Sequence, residues 1–343
     1  MDIEALTARA AERLAPGRVG AVVCVVAGGR TVTEAVGRTA EAGALPGPDT
    51  GFEIGSVTKV FTALLLARLA VDGRVDPDEP LAGLLDGAVV PESDGARITL
   101  RHLATHTSGL PRLPRGMLVK ALLRPGTPDP YAGCHADVLL AGLERTRLRA
   151  APGRRFHYSN LGAGLLGLAL ARRTGTGYAE LLHREVCAPL GLGSTGPAGG
   201  PGGPDEGTLA RGHTRRGVPT PYWDLADLVG AGGLRSTAAD MARFVRAQLE
   251  PGATPLEQAL ESTQVRQPGG GAHSVRHLGW MGQEVHPRAG GGRLLWHNGG
   301  TGGFTSFVGF DPDRRVGVVA LSNSARSVDG PALELLRRVR GAA

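Results

Sequence analysis

The sequence predicts a mixed α/β fold of the α+β type, in which helices flank a mainly antiparallel sheet and an all-helical domain is inserted. Strand-like segments lie at both ends of the 343 residues, and helical periodicity fills the middle. Short turns between consecutive strands indicate antiparallel pairing. We therefore expect residues 1–55 and 230–343 to form a discontinuous sheet domain and residues 56–229 a mostly helical domain, with the active site in the cleft between them.

The N-terminal elements are a helix and a hairpin. Charged and apolar residues alternate with helical spacing over 3–14. Apolar runs at 19–27 and 31–37 flank Gly28-Gly29, a pair typical of tight hairpin turns. These runs should supply the first two strands of the sheet.

A buried helix is predicted next. Residues 51–55 lead in from a loop toward a helix that is predicted to start at Ser56 and to end near Gly73. Apolar residues occupy most sides of this helix, so we expect the protein interior to surround it.

The rest of the chain alternates between helical segments and Gly/Pro-rich loops before strand patterns return. Further helices are predicted at 100–106, 135–147, 160–174, 177–190, 236–249 and 329–340. Loops are predicted at 195–221 and 264–273. Strands are predicted at 277–285, 292–297, 304–310 and 315–322.

Composition excludes several classes of protein. The net charge is +6, but the arginines are scattered and aromatic residues make up only 4%, so we expect no nucleic-acid partner. The longest later apolar run, 161–171, is about half of what a bilayer span requires, so no membrane association is predicted. No export signal is visible, and the three separated cysteines indicate thiols rather than disulfides. The expected location is the cytoplasm.

The first chemical motif is Ser56-Val57-Thr58-Lys59. Positions i and i+3 share a helix face, so the Lys59 amine can reach the Ser56 hydroxyl. A serine needs a base to become a nucleophile, and a lysine can be that base when its pKa is lowered. Lys59 and Lys120 are the only lysines among 38 basic residues, so a chance match to this spacing is improbable. The alternative is an incidental surface lysine on a helix.

The second motif is Tyr158-Ser159-Asn160, just before a predicted helix. A tyrosine there can shuttle a proton, and an asparagine two residues later can hold a carbonyl group or orient the lysine. The tripeptide alone is equally compatible with a core tyrosine and an asparagine N-cap.

The third motif is the segment 296–304, which is rich in glycine. Small residues at the end of a strand let a ligand approach the backbone closely. A backbone N–H in this segment and that of Ser56 could together form an oxyanion hole. A simple glycine-rich hairpin turn is the alternative.

Together these motifs resemble the superfamily of class C β-lactamases and D,D-peptidases, which includes esterases, D-aminopeptidases and transesterases. That family has S-x-x-K, then Y-x-N, then K-T-G or H-x-G. In this chain the corresponding segments are Ser56–Lys59, Tyr158–Asn160 and His297-Asn298-Gly299, in the same order. Further similar stretches occur at 103–111, 189–191 and 231–240, and the likeness runs from about residue 15 to residue 325.

The resemblance implies a role for each site residue. Ser56 would be the acylated nucleophile, Lys59 its base, and Tyr158 the proton shuttle to the leaving group and later from the deacylating water. Asn160 would help to bind the acyl side and orient Lys59, and the N–H groups of Ser56 and Gly300 would polarise the carbonyl group. No cofactor or metal is implied.

The third motif departs from the family pattern. His297 replaces a lysine, and Asn298 replaces a threonine. A histidine is only partly charged near neutrality, so recognition of a substrate carboxylate should be weaker. We therefore predict an ester or small amide as the substrate, with esterase activity favoured. Acyl transfer, D,D-peptidase or β-lactamase activity, and a non-catalytic binding module are the alternatives, and the sequence predicts no oligomeric state.

Other matches are set aside. The G-x-G-x-x-G at 191–196 follows a helix-like segment, so the context of a dinucleotide site is absent. His102 and His106 are four residues apart, but the glutamate that follows the first histidine in a zinc protease is absent here.

The shape of the substrate pocket should depend on loops 112–134 and 195–230. Three aromatic residues are candidates for either the pocket wall or the core: Tyr222, Trp223 and Trp280.

Overall fold

The structure is a computed structural model that describes residues 2–85, 87–113, 129–271 and 274–342. Lys120 and most of the predicted loop 112–134 lie outside these ranges. The described helices are α1 (Ile3–Leu14), α2 (Thr58–Val71), α3 (Leu100–Ala104), α4 (Ala136–Glu144), α5 (Asn160–Thr174), α6 (Tyr178–Leu182), α7 (Val229–Gly232), α8 (Ala238–Leu249), α9 (Glu257–Gln264) and α10 (Asp329–Ala342). The described strands are β1 (Gly20–Ala27), β2 (Arg30–Gly37), β3 (Gly51–Glu53), β4 (Gly196–Pro197), β5 (Leu234–Thr237), β6 (Gln267–Gly271), β7 (Ser274–Arg276), β8 (Met281–Glu284), β9 (Arg293–Gly300), β10 (Thr305–Asp311) and β11 (Val316–Ser322).

Eight of these strands form one sheet in the order β2-β1-β11-β10-β9-β8-β7-β6, and neighbouring strands pair antiparallel. The N-terminal hairpin joins the C-terminal strands through β1 and β11, where Val22 lies opposite Leu321 and Cys24 opposite Val319. The prediction of an antiparallel sheet built from both ends of the chain is confirmed.

Helices cover both faces of this sheet. α1 and α10 contact one face, and α8 contacts β1, β10 and β11 from the other. Every residue of β1 and β11 is buried. Continuous burial explains why these two strands are apolar at nearly every position rather than alternating between apolar and polar residues.

The helical part of the chain surrounds α2. All residues from Thr58 to Ala67 are buried, and α5, α7 and α9 contact this helix. The prediction of a helix buried on most sides is confirmed. Because α9 comes from the C-terminal segment, helices of both chain segments surround α2, and the division into two domains stays a prediction.

Local patterns missed several elements. No strand was predicted at 51–53, but Gly51–Glu53 forms β3, which pairs with β5 in a second sheet of order β3-β5-β4. The predicted loop 195–221 contains the two-residue strand β4, and the predicted loop 264–273 was wrong over Gln267–Gly271, which forms β6. Helix α9 was not predicted. β3 and β4 are short, the partner of β3 is distant in sequence, and β6 is rich in glycine, so local periodicity reports none of these strands.

Within the described ranges, no helix combines the length and apolar character needed to cross a membrane.

Candidate active site

Ser56 lies in a 3-10 turn, Gly55–Val57, that leads directly into α2. Gly55 has a φ of +48°, a backbone conformation that favours glycine. A Cβ atom on Gly55 would lie 2.6 Å from the amide nitrogen of Gly300. The turn therefore holds Ser56 against the end of β9, and only a residue without a side chain permits this approach.

Lys59 follows one turn later and points back to Ser56. Its Nζ donates a hydrogen bond to the Ser56 Oγ at 2.9 Å and another to the Ala231 carbonyl oxygen. The side chain is buried, and burial lowers the pKa of Lys59 well below its ordinary value, with a further decrease from the positive charge of Arg112. A neutral amine beside a serine hydroxyl can accept its proton.

Tyr158 lies next to the Ser56–Lys59 pair. The centroid of its ring is 5.0 Å from the Lys59 Nζ. Burial raises the pKa of Tyr158 to about 12, while the Ser56 hydroxyl and the Arg112 guanidinium act in the opposite direction. The phenol therefore keeps its proton at neutral pH and can give it to a developing alkoxide.

Asn160 is buried in the first turn of α5, and its position excludes the role of N-cap. Ser159 is the N-cap, because its side chain accepts a hydrogen bond from the Gly162 amide at 2.9 Å. The Asn160 Nδ2 donates to the Tyr131 hydroxyl at 2.9 Å, and no described residue pairs with its Oδ1. This oxygen is available to accept a hydrogen bond from a substrate amide or a water; its contact with Lys59 stays a prediction.

The end of β9 supplies the second half of the oxyanion site. A Cβ atom on Gly299 would lie 2.1 Å from the Ile54 carbonyl oxygen and 3.0 Å from the Ser56 amide nitrogen. The backbone of Gly299 and Gly300 therefore lies against the Ser56 turn, and the N–H groups of Ser56 and Gly300 are the candidate pair of donors to an oxyanion.

We expect Gly299→Ala to lower kcat/KM for an activated ester by about 10²- to 10³-fold, the usual effect of losing an oxyanion donor. The added methyl group would push β9 away from the Ser56 turn. Gly83→Ala is the matched control, since a Cβ there meets no atom within 4 Å. Steady-state kinetics of both variants check this prediction, and wild-type activity in Gly299→Ala would contradict the role of this approach.

His297 is buried in β9 and is a neutral imidazole. Its Nδ1 donates to the Asn298 carbonyl oxygen at 2.7 Å, and burial together with the charge of Lys59 lowers its pKa to about 3. The expectation of a partly charged histidine near neutrality was therefore wrong, because burial removes the charge entirely in that range. Its Nε2 is buried and has no partner among the described residues.

The Asn298 side chain contacts α10 and not the Ser56 turn. Its Nδ2 donates to the Asp329 carboxylate at 2.7 Å, which ties β9 to the start of α10. The side chain thus anchors the strand, while the residue also borders the active-site cavity.

These residues surround a cavity of about 400 Å³. Its lining residues are Ser56, Arg112, Tyr158, Met281, Asn298, Gly299, Gly300, Thr305, Ser327 and Asp329. Lys59, Asn160 and His297 are buried behind this surface. Five of the eight predicted site residues thus meet at the Ser56 hydroxyl or at the backbone beside it: Ser56, Lys59, Tyr158, Gly299 and Gly300. The His297 ring lies 6.2 Å from that of Tyr158, Asn160 contacts Tyr131, and Asn298 contacts α10.

Two residues at the site were missed by the sequence analysis. Arg112 lines the cavity, and its guanidinium lies 5.6 Å from the Tyr158 ring centroid. His106 has a φ of +56°, accepts the Ser159 amide on Nδ1 at 3.2 Å, and places its ring 4.5 Å from that of Tyr158. His106 lies within the stretch 103–111, and Arg112 follows it directly. The likeness of this stretch to the family was the only feature of the sequence that could have indicated these two residues.

In the part of the chain that the structure describes, no group of three or more His, Cys, Asp or Glu side chains is placed to hold a metal ion.

The chain is similar in sequence and in fold to known proteins. Residues 6–342 match the family model described as Beta-lactamase. D-alanyl-D-alanine-carboxypeptidase/endopeptidase AmpH of Escherichia coli (strain K12) is 30% identical over 323 residues, covering 88% of this chain and 78% of that protein. A beta-lactamase of the same organism is 28% identical over 304 residues, covering 80% and 75%. A solved structure of a class C beta lactamase from Rhodobacter sphaeroides superimposes with a TM-score of 0.79 at 25% identity, covering 98% of this chain and 97% of the other.

Proposed function

Because this chain belongs to the beta-lactamase family of serine hydrolases, we propose that it cleaves an ester or small amide through an acyl-enzyme on Ser56, with neutral esters preferred. The observation that carries the proposal is the contact of 2.9 Å between Ser56 Oγ and the buried Lys59 Nζ. A nucleophile and a base within hydrogen-bond reach are the signature of covalent acyl transfer.

The geometry supports the following acylation step. Neutral Lys59 takes the Ser56 proton while Oγ bonds to the substrate carbonyl carbon, and the N–H groups of Ser56 and Gly300 stabilise the oxyanion. The bond to the leaving group then breaks, and the departing atom takes the proton of Tyr158. The Lys59 ammonium returns a proton to Tyr158, so both groups recover their starting states.

Deacylation reverses these proton movements. Tyr158 relays the proton of a water to Ser56 as the water oxygen bonds to the acyl carbon. An alcohol or amine in place of water would give acyl transfer with the same residues, so the choice depends on which acceptor enters the site.

The preference for neutral esters is supported by His297. β-Lactams and D,D-peptides carry a carboxylate next to the scissile amide, and a lysine in this position of the family pattern would pair with it. His297 is buried and its pKa is lowered to about 3, so it offers no positive charge at neutral pH.

Arg112 favours a second candidate, a D,D-peptidase. Arg112 lines the active-site cavity, and its positive charge lowers the pKa of Lys59 and opposes the rise in the pKa of Tyr158. A peptide carboxylate could pair with it, and one relative is named a carboxypeptidase/endopeptidase.

The proposal is tested by intact-mass spectrometry on samples quenched during turnover of p-nitrophenyl acetate and butyrate, with nitrocefin and a D-Ala-D-Ala peptide in parallel. We expect acetyl and butyryl adducts, and a kcat/KM for p-nitrophenyl acetate about 10²-fold or more above that for nitrocefin. Rapid nitrocefin or peptide turnover would favour the second candidate. Failure of every reagent to form an adduct would favour a binding module.

We also propose that the protein is located in the cytoplasm. Activity-based labelling of fractionated cells, with the label read at the mass of this chain, is the corresponding measurement.

A further inference from the structure

A second cavity adjoins the active site. Its volume is about 360 Å³, within the range of about 300–1,000 Å³ that small-molecule sites occupy. Tyr158 and Met281 line both cavities, and His297 lines the second one. We call this second cavity the side chamber.

The walls of the side chamber are mostly apolar and aromatic. Trp280 is 3% exposed and contributes to one wall, while Phe156 is 46% exposed and lies toward solvent. No described residue pairs with the Trp280 indole N–H, although it is buried. An apolar group with a few polar atoms would fit such walls.

Arg276 supplies a positive charge to the side chamber. It lies opposite Met281 in the β7–β8 pair, and its guanidinium is 6.0 Å from the Phe156 ring centroid. Its Nη1 is buried and pairs with no described residue. Burial lowers the pKa of Arg276, and no described acidic side chain opposes that effect. A guanidinium in this state is suited to pairing with a carboxylate.

Tyr158 indicates which part of a substrate enters the side chamber. In the proposed mechanism the ester C–O bond breaks and the departing oxygen takes the Tyr158 proton. The leaving group is therefore next to Tyr158 when the C–O bond breaks. Tyr158 also lines the side chamber.

We propose that the side chamber binds the leaving group of the substrate, and that this group is an aryl or alkyl alcohol with a carboxylate at its far end, held by Arg276. The inference rests on the proposed function. A carboxylate next to the scissile bond would meet neutral His297, whereas one separated by an apolar spacer would reach Arg276.

Two acetate esters with the same acyl group test the proposal: 3-(4-acetoxyphenyl)propanoate and 4-propylphenyl acetate. Their alkylphenol leaving groups have similar pKa values and differ in the terminal carboxylate. Both give the same acetyl-Ser56, so the ratio of their kcat/KM values reports leaving-group recognition alone. We expect the wild-type protein to prefer the carboxylate by about tenfold or more, as one charged hydrogen-bonded pair permits.

Arg276→Gln should bring this ratio close to one, and Arg276→Lys should keep part of it because the charge remains. Arg266→Gln is the matched control, since Arg266 is exposed, lies outside the side chamber and should keep the wild-type ratio. Thermal melts and acetyl-adduct formation from p-nitrophenyl acetate establish that each variant is folded and competent. A wild-type ratio near one, or an unchanged ratio in Arg276→Gln, would overturn the proposal. The proposed function would still stand if the acetyl adduct forms, and would fail separately if it does not.

Discussion

Ser56→Ala is expected to abolish the acyl adduct and to lower kcat/KM for p-nitrophenyl acetate by about 10⁴-fold or more, the scale seen when a catalytic nucleophile is removed. The structure gives the reason: Ser56 Oγ is the atom that the Lys59 amine contacts at the entrance of α2. No other described serine contacts Lys59, so the remaining activity should come from the oxyanion site alone.

Intact-mass spectrometry and steady-state kinetics on the same samples measure this effect. Ser93→Ala is the matched control, because Ser93 lies in a turn closed by hydrogen bonds with Ala96 and does not line the active-site cavity. An acetyl adduct that persists in Ser56→Ala would assign the nucleophile to another residue.

Lys59→Arg is expected to lower kcat/KM by about 10²- to 10⁴-fold, the usual contribution of a general base. Arginine keeps a positive charge but does not give up its proton in proteins, so it cannot accept the Ser56 proton. Lys59→Met, which removes the charge, should be impaired to a similar degree. If Lys59→Arg stayed active while Lys59→Met lost activity, the charge and not proton transfer would be the contribution of Lys59.

The pH dependence of the wild-type protein provides an independent measurement. Burial and the charge of Arg112 lower the pKa of Lys59, and the neutral amine is the active form. Activity should therefore rise with pH through this lowered pKa and then level off well below pH 10.5. His297, with its pKa lowered to about 3, should add no inflection between pH 5 and 8. A rate that falls as pH rises through this range would contradict a basic Lys59.

The same pKa shift links Lys59 to stability. Because its folded pKa is below its unfolded value, the unfolded state binds more protons between the two values. Stability should therefore rise with pH in that window and decrease as the pH falls through the folded pKa. Thermal unfolding of the wild-type protein and of Lys59→Met over this pH range measures the contribution, which the variant should lack.

Much of the architecture could be predicted from local patterns. The apolar run 19–27 predicted a strand, and that of α2 predicted a helix buried on most sides; β1 and α2 form there, and α2 is buried as predicted. The spacing of Ser56 and Lys59 predicted a shared helix face because a helix brings positions i and i+3 together wherever it occurs. Order and spacing of the three motifs then indicated the family.

Contacts between distant segments could not be predicted in this way. β3 pairs with β5, and the Ser56 turn contacts β9, across separations of about 180 and 240 residues. The side chamber combines residues near 105, 157, 280 and 297. Such contacts depend on how the whole chain packs, and a periodicity of two or 3.6 residues carries no information about them.

The sequence by itself therefore determined most of the long elements, the Ser56–Lys59 pair and the family, because each depends on neighbours within a few residues or on motif order. Only the tertiary structure decided the electrostatic state of the site. The pKa of Lys59 is lowered, that of Tyr158 is raised to about 12, and that of His297 is lowered to about 3, chiefly by burial. A pKa depends on solvent exclusion and nearby charge, and both arise from side chains that meet only when the chain is folded.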